Sequence, residues 1–195
     1  HGHGAPFHNL TLDEAGEYFR DTYGGQMVNL FGLQPNKEQL TALNLQPLPE
    51  TLVSAEEKKE IGNIDVHAGF DETSRLIFLR PDLVSPIYKQ LPSLTANNFN
   101  EFFKAPRTPG WLGYQSSPRL ANATYGALSM QNRSQQWNAL ALAILDGRLD
   151  ERNIPRYAKI MTGNPQVKTS LEPSTKNEQE RERKQREWMK KKGIE

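Results

Sequence analysis

Between Leu10 and Tyr23 apolar residues recur at Leu10, Leu12, Ala15, Tyr18 and Phe19, the spacing of a helix face, and the pair Gly24-Gly25 stops the run. Thr11 and Glu14 stand at the separation of a capping box. Directly after the glycines comes QMVNLF, residues 26–31, short, apolar and bounded by glycine, which reads as a buried strand. A helix that feeds at once into a buried strand restricts the architecture more than any other feature of the chain, and it predicts an α/β layer.

The rest of the chain is read against that start. Residues 32–62 are rich in Pro, Asn, Gln and Leu and fit an excursion at the edge of a core, with a helix-like polar stretch near Ser54 to Glu60. Ile64 to His67 predicts the end of a second short strand, and Ala68-Gly69 a turn opening onto a helix from Asp71 or Glu72 to Leu79, closed by Pro81. Residues 85–120 are proline-rich and carry Phe102, Phe103, Trp111 and Tyr114, with a helix expected near Ala96 to Phe103. A long helix is expected from Tyr125 to Leu145, with Leu128, Trp137, Leu140, Ala141, Ile144 and Leu145 on its apolar face and Gly147 as the stop. Beyond Pro173 strong helix formers with mixed i,i+4 charges predict a solvated, partly helical tail, or an arm that docks on a neighbouring subunit. The expected division is a domain over 1–150 and an extension over 151–195.

Composition sets outer bounds. A chain of 195 residues with 36% hydrophobic side chains can bury one real core, and a mean hydropathy of -0.73 leaves part of it outside. Twenty-four Lys and Arg against 23 Asp and Glu give a formal charge of +1, which speaks against nucleic acid as the default partner. The absence of Cys excludes disulfides, thiolate metal sites and cysteine nucleophiles. No apolar run reaches the roughly 20 residues needed to span a bilayer, so a membrane is not expected as a partner either. A cytoplasmic location is favoured, although the opening His1-Gly2-His3-Gly4 reads as the middle of a longer protein.

All four histidines fall in two short segments, HGHGAPFHN with His1, His3 and His8, and DVHAGFDETS with His67. Imidazole is the commonest metal ligand and the usual acid/base group near neutral pH, and glycines such as Gly4 let backbone come close to a metal or substrate. His1 and His3 would point to one side of an extended segment, as two ligands do; they equally fit exposed loop histidines. His8 precedes Asn9, which could simply cap a helix. In the second segment Asp65, His67, Asp71 and Glu72 crowd a strand-to-helix turn, where a carboxylate can ligate a cation or orient the imidazole. Asp71 and Glu72 also fit a purely structural role beside the helix dipole.

At these residues the sequence resembles the creatininase (creatinine amidohydrolase) family. DVHAGFDETSRLIFLRPDLV is similar to that family's His-Ala-Gly-x-x-Glu-Thr-Ser segment with its following P-x-L-V, and HGHGAPFHN to its Asn-Gly-His-Gly-Gly-Asn segment, in the same order. SSPRLANATYGALSM is like the stretch leading to the family's last core helix, so the resemblance covers roughly residues 1 to 150. It implies a three-layer α/β/α sandwich around a mostly parallel sheet, a homo-oligomer, often a hexamer, and two divalent cations, zinc, manganese or iron. The activity implied is hydrolysis of a non-peptide C–N bond in a small cyclic amide or formamide. His3 then matches a metal ligand, His67 the acid/base histidine with Asp65 beside it, and Glu72 a glutamate at or behind the metals. A metal-activated water would attack the carbonyl while His67 protonates the leaving nitrogen. Gly4, Trp111 and Tyr114 are the candidate substrate contacts, the two aromatics as a wall for a flat ring or as core.

The sequence also departs from the pattern. Ala5 stands where creatininase itself has a glutamate ligand, His1 where the family has Asn, and His8 is the candidate substitute ligand. The family's upstream Glu-x-His-Gly-x-His-Leu-Pro segment and later Asp have no counterpart, so the chain is expected to be the C-terminal portion of such an enzyme. A non-catalytic scaffold used for assembly is the rival reading, and a phosphate- or sugar-binding α/β module a weaker third, since no Walker or dinucleotide fingerprint occurs.

Overall fold

The helical periods of the sequence are realised and its strand-like runs are not. The computed structural model describes residues 4–194, and among them no strand forms; the helices pack on one another and the architecture is all-α. The expected α/β/α sandwich with a mostly parallel sheet is therefore corrected. QMVNLF runs as irregular extended chain into a 3-10 turn at Leu30–Gly32, and residues 64–67 form no strand. Only isolated bridges occur, Leu33 with Arg156, Gly62 with Ala96 and Leu94 with Ser116. A strand is completed by a neighbour's ladder; these bridges fall outside residues 26–31 and 64–67, and the second run makes single bonds to two different segments, Ile64 N–H to Ala96 O and Gln115 N–H to His67 O, with no ladder.

Helix α1, Pro6–Tyr23, starts earlier than the Thr11/Glu14 box would set it, because Pro6 occupies the first turn, where its missing N–H costs nothing. Gly24 ends it at φ 67 with its N–H on Arg20 O, as the glycine pair foretold. Its buried face is Asn9, Asp13 and Gly16 rather than the apolar stripe; Tyr18 is 66% exposed. The cause is a close backbone approach: a Cβ on Gly16 would lie 2.4 Å from Met27 O.

Short helices follow at α2, Lys37–Ala42, and α3, Ala55–Ile61. Both start with reciprocal capping boxes, Asn36 with Gln39 and Ser54 with Glu57. Helix α4, Phe70–Leu79, and α5, Phe99–Lys104, precede the long α6, Ala123–Leu145. Helices α4 and α6 run antiparallel, with Gly126 against Ser74 and Asp71 reaching both Ser129 and Arg133. Gly126 allows this approach, since a Cβ there would be 2.1 Å from Ser74 O.

Helix α6 links two apolar clusters. Leu140 and Ile144 pack with Leu33 and Ile154 in one; near its start Ala121 joins Ile61 and Phe70 in the other, flanked by Tyr125 and Ile77. Leu145, expected on the buried face, is instead 73% exposed. After residue 150 the chain continues to contribute to the interior through Ile154, Ala158 in α7 (Tyr157–Gly163) and Val167 in α8 (Pro165–Lys192). Asn164 caps α8 by accepting from Gln166 and Val167 N–H, and Pro173 lies inside the helix rather than before it.

Candidate functional site

The His67 segment folds into a knot of backbone held by its own side chains. The Asp65 carboxylate accepts the Phe70 N–H at 3.0 Å and the Asp71 N–H at 2.8 Å, closing the first turn of α4 in place of a capping side chain at Gly69. Glu72 reaches back to accept the Ala68 N–H at 2.7 Å. Gly69 is pressed so closely that a Cβ would lie 2.1 Å from Asp65 Oδ1 and 2.5 Å from Gln115 O. The 115–117 segment completes the fixture from the other side. The Gln115 N–H donates to His67 O at 3.0 Å, and Ser116 Oγ donates to Ile61 O at 2.9 Å.

Strain is concentrated here. Ala68 has φ 47 and Ser116 φ 65, the left-handed region that costs a side-chain-bearing residue about 1–2 kcal/mol. These two, with Asn44 elsewhere, are the non-glycine residues of positive φ among those described. Residues held this way persist where the surroundings over-determine them, as at ligand sites. The His67 imidazole itself is exposed and lies 5.8 Å, centroid to centroid, from the Trp111 indole at an interplanar angle of 31°. The Trp111 indole N–H donates to Tyr114 O at 2.7 Å and so fixes the ring that His67 meets.

The carboxylates beside the knot have divided duties. Burial pushes the Asp65 carboxyl above its ordinary value, against the pull of the Asp71 N–H, and the Asp71 charge pushes it the same way as burial. Asp71 is neutralised by Arg75 at 2.6 Å and Arg133 at 3.0 Å and accepts from Ser129 Oγ at 2.9 Å. Burial, then the Asp71 and Asp65 charges, also raises the Tyr125 phenol. A cleft of about 390 Å³ opens next to these groups, lined by Val53, Lys58, Ile61, Asp65, Phe70 and Tyr125.

The candidates from sequence divide accordingly. Asp65, His67, Glu72 and Trp111 come together. Tyr114 does not form a wall: its ring is buried and its hydroxyl donates to Pro92 O at 2.6 Å, with burial raising its pKa. His8 is exposed on α1, and Gly4 O accepts from the Tyr157 hydroxyl at 2.9 Å; α1 packs on α7, whereas the knot belongs to α4 and α6. His3 lies outside the described residues.

The metal expectation can be tested on the donor set. Among the described residues no group of three or more His, Asp or Glu could hold a metal ion, and both Asp65 oxygens and Glu72 Oε2 are directed at backbone N–H groups. These residues do not fit a two-metal centre.

Two polar clusters had no signal in the sequence. Glu60 accepts from Ser93, Ser117 and Arg119, and these hydroxyls, first of all Ser117, hold its carboxyl below the ordinary value. Near α1, the buried Glu151 binds Arg20 at 2.8 Å and Arg156, and Arg156 Nη1 stands 3.7 Å from the buried Asp13. Their partners lie too far apart in the chain for spacing to reveal them. Compared with known proteins, the chain matches no family model, no curated protein and no solved structure.

Proposed function

We propose that the chain acts in hydrolysis of a non-peptide C–N bond of a small cyclic amide or formamide, with His67 as the group that carries the proton to the leaving nitrogen. The observation that carries this reading is that His67 directly precedes the strained Ala68 and is bonded through its carbonyl to Gln115, the neighbour of the strained Ser116, with its imidazole left exposed against Trp111. A scaffold role alone gives no reason to hold an exposed imidazole on so constrained a backbone. The similarity of DVHAGFDETS to the creatininase segment supports the same assignment.

In this reading each residue has one task. Asp65 and Glu72 fix the backbone on either side of His67 through the Phe70, Asp71 and Ala68 N–H groups. Gln115 N–H holds the His67 carbonyl, and Trp111 offers a flat apolar surface beside the imidazole. Water adds through its oxygen to the carbonyl carbon, the C–N bond breaks as the protonated imidazole gives its proton to the departing nitrogen, and the neutral ring takes up the proton that the added water releases, leaving acid and amine. No step is assigned to a metal, because the described donors do not fit one.

The test is release of ammonia or amine from a panel of cyclic amides and formamides, by wild type and His67→Asn, with and without added zinc or manganese. His67→Asn should keep the helical circular dichroism and lower kcat by about 100-fold or more. A wild type that turns over nothing in any condition overturns the proposal. It would favour the rival reading, a non-catalytic scaffold, for which the observation is that Asp65 and Glu72 both serve as caps of backbone N–H groups.

A further inference from the structure

The last turn of α8 has a chemistry unlike the rest of that helix. Upstream, cations are answered by anions on the same face: Arg183 pairs with Glu180 and Glu187, Lys184 with Glu180, and Arg186 with Glu182. From Trp188 to Ile194 the sequence is Trp-Met-Lys-Lys-Lys-Gly-Ile, three cations ahead of the next acid, Glu195, and among the described residues none of the three lysines has an ion pair. The chain's formal charge of +1 averages this end away.

The backbone gathers the apolar residues of the same end. Gly193, at φ 66, donates to Lys190 O at 3.1 Å, and the Ile194 N–H donates to Met189 O at 3.1 Å, the pair of bonds of a Schellman motif. This turns Ile194 back toward the last helical turn, beside Met189. Trp188 is 54% and Ile194 59% exposed, so a small apolar knob stands among Lys190, Lys191 and Lys192. Cations at a helix C-terminus complement the macrodipole, which accounts for charge there but not for an exposed indole and isoleucine.

We infer that this end of α8 is a docking tip for an anionic lipid surface, with Trp188 and Ile194 entering the headgroup layer and the three lysines meeting the lipid phosphates and carboxylates. Trp beside Lys is the pairing that interfaces of this kind select. A nucleic acid is the less fitting polyanion, since it would need a basic stripe along the helix, and Glu180, Glu182 and Glu187 interrupt that stripe. The contact lies on the surface and spans nothing; among the described residues no helix is long and apolar enough to cross a membrane.

The test is cosedimentation of the full chain with vesicles of phosphatidylcholine alone and of phosphatidylcholine mixed with phosphatidylserine. Binding should require phosphatidylserine and fall as salt shortens the Debye length. Reversing Lys190, Lys191 and Lys192 to Glu should lower the partition coefficient by about 100-fold or more, from roughly fivefold for each surface cation. Trp188→Ala should weaken binding without abolishing it, while Lys37→Glu, Lys59→Glu and Lys168→Glu together, remote in sequence from the tip, should weaken it far less than the tip reversal. All these side chains are exposed, so the helical circular dichroism should be unchanged. Equal binding to both vesicles, a triple tip variant that binds like wild type, or tighter binding to duplex DNA than to the anionic vesicles would each overturn the inference.

Discussion

Asp13→Asn should stabilise the protein at neutral pH. The Asp13 side chain is 3% exposed, and neither carboxylate oxygen has a well-formed hydrogen bond; the nearby Asn29 amide donates one N–H to Asn9 Oδ1 and leaves only a weak pull on Asp13. Arg156 Nη1 stands 3.7 Å away, but that guanidinium is also bonded to Glu151. Burial outweighs the attraction of Arg156 and the pull of the Asn29 amide and raises the Asp13 pKa above its ordinary 3.8, with Glu17 adding to the rise and Lys159 opposing it. A buried polar group without partners costs about 1–3 kcal/mol, and Arg156 offsets part of it, so the amide should gain about 1 kcal/mol, or about 2–4 °C in Tm. The sign with pH follows from linkage. Because the folded pKa is raised, the stability from protonated Asp13 is complete below 3.8 and is lost as pH rises from there through the folded value. The difference between variant and wild type should therefore be near zero at about pH 3 and widen toward neutrality. Urea unfolding followed by circular dichroism across that range measures it. A variant less stable than wild type by a margin that grows with pH would mean that Arg156 gives the carboxylate more than burial takes, and the reasoning would fail.

Other perturbations have equally definite signs. Gly126→Ala places a methyl 2.1 Å from Ser74 O and must part α4 from α6, so even after the helical gain of Ala it should cost at least about 2 kcal/mol in urea unfolding. Ser54→Ala removes the oxygen that accepts the Glu57 N–H and should cost about 1 kcal/mol, while Ser54→Gly should cost only a few tenths. Glu60 behaves oppositely to Asp13. Its pKa is lowered by Ser117, Ser93 and Arg119, so its contribution is present above 4.5 and lost as pH falls below that value, and Glu60→Gln should remove this part of the acid sensitivity of Tm.

What the sequence shows of this fold is what is settled within a turn or two of chain. Ser54 with Glu57, Asn122 before α6 and Gly24 after α1 are complete signals, because their partners lie within four residues. QMVNLF and IDVH have the local marks of strands, apolar content and for the first the bounding glycines, but a strand's other half is a distant backbone, and neither run meets one in a ladder. The face of α1 was misread for a related reason: Gly16 turns toward Met27 O, and Asp13 toward Arg156, neither of which the helical period contains. In the candidate site the HAG-x-x-ETS spacing exposed the local knot, since Glu72 and Asp65 cap within six residues. The opposing Gln115-Ser116 segment left no trace, and for Tyr114 the sequence leaves wall and core both open, because nothing local announces the bond to Pro92 that goes with its buried place.

The junction of residues 61–69 with 115–117 has a kinetic consequence. Asp65 can cap α4 as soon as a dozen residues of chain exist, but the Ser116 bond to Ile61 spans 55 residues, and the Gln115 bond to His67 joins the same segments. Closing such a loop is an entropic cost met before any contact rewards it, so these pairings form after the helices they join. A chain interrupted between residues 80 and 114 could still make α4 and α6, yet the backbone around His67 would lose the tether that draws it into its left-handed turn. The histidine would then be present in a helical protein without the platform that makes it particular.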